Sequence, residues 1–211
     1  MAAPRFWTRF AVLLVGLWLF GMGLAFMVES NLGLGPWMVL NEGLSDLTGV
    51  SIGRMGILVG LVVLLLWIPL GERFGIGTVL NVGLVGISID VTLALVPDID
   101  LLGFRWVLVA GGVVVVGFAT GLYVGAGLGP GPRDGLMTGI ARRGIPISRA
   151  RTGIEVTVLV AGFLLGGTVG AGTILFALGI GPLVGFFLPR LAVDPVVAAA
   201  ARKPAVVERP A

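Results

Sequence analysis

The sequence predicts an all-α membrane protein of about six transmembrane helices, formed by two duplicated three-helix halves, each with a short Gly-Pro-initiated re-entrant or interfacial helix. Three observations carry this expectation: a composition rich in apolar residues and poor in charge, six long apolar runs, and a Gly-Pro motif that recurs with its surroundings. Hydrophobic residues supply 57% of the 211 positions and charged residues 12%, too little charge to solvate the outside of a soluble globule.

The apolar runs cover residues 11–28, 52–70, 74–96, 104–125, 152–169 and 172–188. Each is long enough to cross roughly 30 Å of hydrocarbon, and together they leave almost no chain for a water-soluble domain. The first follows Arg5 and Arg9 as a secretory signal would, but it is long and lacks a small-residue cleavage site, so it reads as a retained helix. The expected organisation is a cytoplasmic amino-terminal segment (1–10), a first membrane repeat (11–97), a second (104–190) and a disordered cytoplasmic tail (191–211).

The chain has no cysteine and no histidine, which removes thiolate chemistry, disulfides, a titrating imidazole and the commonest metal ligand. No cofactor, no metal and no catalytic residue is expected. The sequence pI near 10.5 does not point to nucleic acid, because the arginines cluster at helix ends and in one loop. They suit topology and contact with anionic membrane lipids.

The duplication is read residue by residue. Leu32-Gly33-Leu34-Gly35-Pro36 matches Leu128-Gly129-Pro130-Gly131-Pro132, and at the same offset of 96 Leu40 falls on Leu136 and Gly43 on Gly139. At an offset of 95, Gly49, Ile52 and Arg54 meet Gly144, Ile147 and Arg149, and Leu70-Gly71 meets Leu165-Gly166. Gly75-Ile76-Gly77-Thr78-Val79-Leu80 then meets Gly170-Ala171-Gly172-Thr173-Ile174-Leu175. Agreement of Gly, Pro, Thr and Arg in order is not the product of shared apolarity alone.

Two short helices are expected at 36–48 and 132–143, each opened by a proline whose missing N–H costs nothing in a first turn. Thirteen residues at 1.5 Å rise span about 20 Å, short of the hydrocarbon thickness. If these segments do not cross, the halves are inverted and the spans number six. If they cross, the halves are parallel and the spans number eight. Arg and Lys placement fits both, and either way both termini are cytoplasmic.

Candidate site residues follow from burial cost and helix-end chemistry. Asp90 lies about 10 Å from the helix end marked by Pro97, and an ionisable group at that depth needs a partner or water. Its structural alternative is pairing with Ser88, Thr92 or a neighbouring cation. Glu155 stands one turn past Arg151, which fits a simple ion pair on one helix face as well as a ligand contact. Glu29 and Asn31 end the first helix beside the Gly-Pro loop. Gly35 and Pro36, with Gly131 and Pro132, open the short helices, whose free N–H groups and positive dipole ends favour an anionic or polar ligand. Arg133 and Asp134 replace Trp37 and Met38 in the second copy, either as ligand contacts or as a loop anchor. Broken segments at matched positions in two halves point to a transporter site. The 36 glycines, several at four-residue spacing, point to close helix packing.

Leu32-Gly33-Leu34-Gly35-Pro36-Trp37, Gly129-Pro130-Gly131-Pro132-Arg133-Asp134-Gly135-Leu136-Met137 and Arg151-Thr152-Gly153-Ile154-Glu155 resemble the YczE-like, YitT-related bacterial membrane proteins. The likeness extends over 9–188 and implies a location in the bacterial cytoplasmic (inner) membrane, without implying a substrate. Proteins of the YitT-related group are in turn distantly similar, in size and span count, to the small substrate-binding subunits of energy-coupling-factor importers. The expected function is binding or transport of a small solute between the repeats, with a homo-oligomer or an energising subunit as candidate partner. The alternative is a scaffold or regulatory subunit acting through a partner at the Arg142 to Arg151 loop.

Overall fold

The computed structural model describes residues 6–97 and 99–202, which form nine helices: α1 (Phe6–Ser30), α2 (Pro36–Thr48), α3 (Ile52–Leu70), α4 (Ile76–Leu95), α5 (Leu102–Gly125), α6 (Pro132–Ala141), α7 (Ile147–Leu164), α8 (Ala171–Leu191) and α9 (Pro195–Arg202). Five of them, α1, α3, α4, α5 and α8, are long and apolar enough to cross a membrane. The sixth expected span, 152–169, is displaced: α7 begins at Ile147 and ends at Leu164, so Arg149, Arg151 and Glu155 all lie in its first half. Those charges make α7 too polar to match the other five.

The centre of the protein is the antiparallel pair α1 and α5. Arg9 donates to the carbonyls of Ala126 (2.8 Å) and Gly127 (2.7 Å) at one end, and Arg105 donates to those of Ser30 (2.6 Å) and Asn31 (2.8 Å) at the other. Between these clamps the backbones nearly touch, because a Cβ placed on Gly112 would lie 2.7 Å from the Gly23 carbonyl oxygen. Helix α4 packs on α1 and α8 on α5, while α2 packs on α7 and α6 on α3. Antiparallel α1 and α5 require an even number of crossings between them, here α3 and α4. That excludes the eight-span, parallel arrangement, in which α2 would cross.

The short helices instead return to the end they came from. After Ser30 the chain turns inward: a Cβ on Gly33 (φ +114°) would meet the Gly170 amide nitrogen at 2.5 Å, and one on Gly35 would meet the Phe176 ring at 2.9 Å. Helix α2 then climbs back to the level of Ser51, where α3 starts. Gly129 (φ +133°) makes the matching turn before α6. Each loop is held by the last long helix of the other half, since Gly172 donates to Leu32 O (2.8 Å) and Gly77 donates to Leu128 O (2.9 Å). Thr78 adds a bond to Pro130 O (2.8 Å). The recurring Gly-x-Gly-Thr thus has a physical cause: small residues admit the crossing loop, and the hydroxyls of Thr78 and Thr173 accept from the amides of Gly75 and Gly170.

The tail departs from expectation. Residues 195–202 form α9, capped by Asp194, whose carboxylate accepts from Val196 N (2.8 Å) and Val197 N (3.1 Å) and pairs with Arg9 at 2.7 Å. Within the stretch expected to be disordered, 191–211, residues 195–202 are thus helical, and 203–211 lie outside the described residues, as do 1–5. Asp194→Ala removes a helix cap and the partner of a half-buried arginine, and should lower stability by about 1–2 kcal/mol in thermal unfolding in detergent.

Candidate functional site

A cavity of about 400 Å³ lies where the two short helices point at each other. Its wall takes Gly35, Pro36, Trp37, Met38 and Asn41 from α2 and its loop, and Gly131, Pro132, Arg133, Asp134 and Met137 from α6 and its loop. These are the same positions under the sequence offset of 96. Trp37 and Arg133, matched by that offset, meet directly, with the guanidinium carbon 5.0 Å from the indole centroid. Trp67 fixes the α6 side by donating to Pro132 O at 2.9 Å.

The same geometry makes the two sides chemically unlike. Arg151 and Glu155 reach the cavity from α7 and pair at 3.1 Å, whereas their matched positions on α3 are Gly56 and Gly60. Arg133 and Asp134 face Trp37 and Met38. All four charges of the wall therefore come from the second half, two of each sign. Phe20, Val85, Ile89, Phe176 and Ile180 supply apolar surface opposite them. Around Gly131 converge Asp134 Oδ2, the Tyr123 hydroxyl and the Asn81 amide nitrogen, which would stand 3.3, 3.4 and 3.8 Å from a Cβ placed there.

Two buried polar atoms in the wall lack a protein partner. Trp37 is 6% exposed and its indole N–H donates to nothing, and Asn41 is 2% exposed with its Oδ1 unpaired. A buried polar atom left unpaired costs about 1–3 kcal/mol, so these two atoms mark places that a polar ligand or water completes.

Seven of the ten residues expected at the site line this cavity: Gly35, Pro36, Gly131, Pro132, Arg133, Asp134 and Glu155. Three stand elsewhere. Asp90 accepts from Ser51 Oγ (2.6 Å) and Gly53 N (2.8 Å), joining α4 to the start of α3. Glu29 accepts from Ile99 N at 3.2 Å, and Asn31 (φ +48°) forms the exposed turn whose carbonyl Arg105 holds. All three serve the loops at one end of the bundle. Asp90→Asn should therefore lower the thermal midpoint, by about 1–2 kcal/mol of stability, and leave ligand affinity unchanged. Asn41, Asn81, Thr120 and Tyr123 line the cavity without having been singled out, and Arg151 entered the reading only as the partner of Glu155. Projecting the charged positions of one half onto the other would have flagged the Arg151 and Gly56 pair.

A second hollow, of about 730 Å³, lies between α3 and α7 and is walled by Leu40, Leu44, Leu58, Leu136 and Ile140, without paired charges inside it. It reads as lipid-facing surface.

The family description "Family of unknown function (DUF6198)" matches residues 7–189. The chain belongs to this family. Among the relatives of this DUF6198 chain, a Haemophilus influenzae protein described as "Uncharacterized protein" is 40% identical over 89% of this chain and 88% of its own length. Bacillus subtilis "Uncharacterized membrane protein YczE" is 32% identical over 86% of each, so the resemblance drawn from the Gly-Pro motifs holds. "Uncharacterized protein YyaS" of the same bacterium is 26% identical over 83% of this chain and 90% of its own. No solved structure matches. The family, the apolar helices and the described relative together make this a multi-pass membrane protein of the YczE type.

Proposed function

We propose that this DUF6198 protein is a non-enzymatic membrane carrier or capture protein, built from an inverted repeat, that binds a small polar or amphipathic solute in the central cavity. The observation that carries the reading is the pair of opposed half-helices, whose free N–H groups end in a chamber holding Arg133, Asp134, Arg151, Glu155 and two unpaired polar atoms. Such a chamber gathers four charges of balanced sign where the two short helices meet, an arrangement for which a protein acting only through a partner has no use. Movement of one half against the other would expose it to alternate sides. The decisive experiment is thermal unfolding of the protein in nanodiscs across a metabolite panel, with Arg133→Gln alongside. A ligand should raise the midpoint of the wild type and not that of the variant; absence of any ligand-dependent shift would sink the proposal in favour of a scaffold.

The bacterial cytoplasmic membrane, with both termini cytoplasmic, is part of the same reading. It follows from the Arg142 to Arg151 cluster at the amino-terminal end of the bundle, where Arg142 pairs with Glu72 at 3.4 Å and Arg143 donates to Pro69 O. Single cysteines placed at Glu42 and Gly71 in this cysteine-free chain should label from opposite sides in intact cells, position 42 from outside. Labelling of position 71 from outside would reverse the orientation.

A further inference from the structure

The cavity is closed on one side and open on the other, at positions the sequence offset of 95 makes equivalent. On the closed side α3 packs on α4, Gly53 and Gly86 bring their backbones into contact, and Asp90 joins the two helices through Ser51 and Gly53. The matched residues on the other side are Ser148, Gly181, Gly185 and Pro146. There the carboxylate is replaced by a glycine, the hydroxyl that donates to it by a proline, and the glycine of α3 by a serine on α7. Helices α7 and α8 have no matching packed seam, and a Cβ at Gly153, Gly181 or Gly185 would meet nothing within 4 Å.

Gly181 is exposed and lines the cavity, and no seam of α7 against α8 closes the chamber beside it. It stands in the middle of α8, about 15 Å from either helix end, at the depth of lipid chains. Arg151 and Glu155, with side chains 58% and 36% exposed, edge the gap from α7. Pro182 removes one backbone hydrogen bond of α8 beside the opening.

We propose that the ligand reaches the cavity sideways from the bilayer, between α7 and α8, and is therefore a membrane-partitioning amphiphile with a dipolar head. This rests on the reading of the cavity as a binding site and names the class it takes. The head meets the two arginines and two carboxylates, whose charges balance, and the apolar part lies against Phe20, Ile89, Phe176 and Ile180. A chamber of about 400 Å³ holds a molecule of drug size and is too small for a two-chain phospholipid.

The test uses Val184→Cys, a cavity-wall position, in the cysteine-free chain in liposomes, with rates normalised to free cysteine. The lipid-partitioning reagent N-pyrenylmaleimide should label it at least about ten-fold faster than a charged, membrane-impermeant methanethiosulfonate. Adding Gly181→Phe, or the smaller Gly181→Leu, should reduce pyrene labelling at least about ten-fold without lowering the thermal midpoint. Equal or faster labelling by the charged reagent, indifference to both Gly181 substitutions, or no labelling by either reagent would overturn the lateral route. Those results concern access alone, and the ligand panel in nanodiscs tests binding separately.

Discussion

Gly112→Leu should prevent the protein from folding, while Gly111→Leu, one residue away, should leave it intact. The Gly112 face of α5 meets the backbone of α1, with the Gly23 carbonyl oxygen and Met27 Cγ 2.7 and 2.9 Å from the site of a new Cβ. Neither neighbour can yield cheaply: the first is backbone in a regular helix, and Met27 is fully buried. Overpacking a fitted contact costs about 1–3 kcal/mol, and here three further carbons would have to part the two central helices along their length. At Gly111 a Cβ meets nothing within 4 Å, so leucine there faces lipid. Size-exclusion profiles and thermal unfolding of the two variants in detergent check this. A folded Gly112→Leu protein with an unchanged midpoint would show that the α1 and α5 contact does not hold the molecule together. The reciprocal pair Gly86 and Gly181 should behave the same way, because alanine at Gly86 overlaps Gly53 and at Gly181 enters open space.

What was legible in the sequence follows from which residues carry positional information. Gly and Pro do, because a left-handed turn or a first helical turn accepts few alternatives, and the two Gly-Pro loops and the Gly-x-Gly-Thr starts of α4 and α8 were readable from them, while the depth of the loops was not. The boundaries of α7 were not. Hydropathy placed that span at 152–169, whereas the helix starts five residues earlier because its polar first turns face the cavity and the aqueous end of the bundle. Asp90 misled for a related reason: depth along a helix can be counted from its end, but the face it occupies cannot. Its neighbours on α3 turned it into a clamp for a helix start. Tyr123 and Asn81 were invisible because nothing local distinguishes a cavity-facing polar residue from one bonded to a neighbouring helix.

The unlike halves of the cavity lead to the largest functional effect expected of any side chain. Arg133 and Asp134 lie in one another's field at the start of α6, and Arg151 and Glu155 also act on Asp134. Arg133→Gln takes from Asp134 the cation beside it, and in a cavity that leaves Asp134 exposed the loss should cost about 1–2 kcal/mol of stability, between the values for exposed and fully buried charges. It also uncovers the Trp37 ring. Asp134→Asn made in the same chain should restore most of that stability, because no carboxylate is then left without the cation beside it, and Arg151 and Glu155 still pair with each other. It should not restore binding: the head of the ligand still lacks one of its two cations, so affinity should stay at least about 100-fold below wild type, equivalent to about 2.7 kcal/mol. The two readouts separate a binding role from an anchoring one. If Arg133 and Asp134 only fastened the α6 loop, the double variant would recover midpoint and affinity together, and the cavity would lose its claim to be the site.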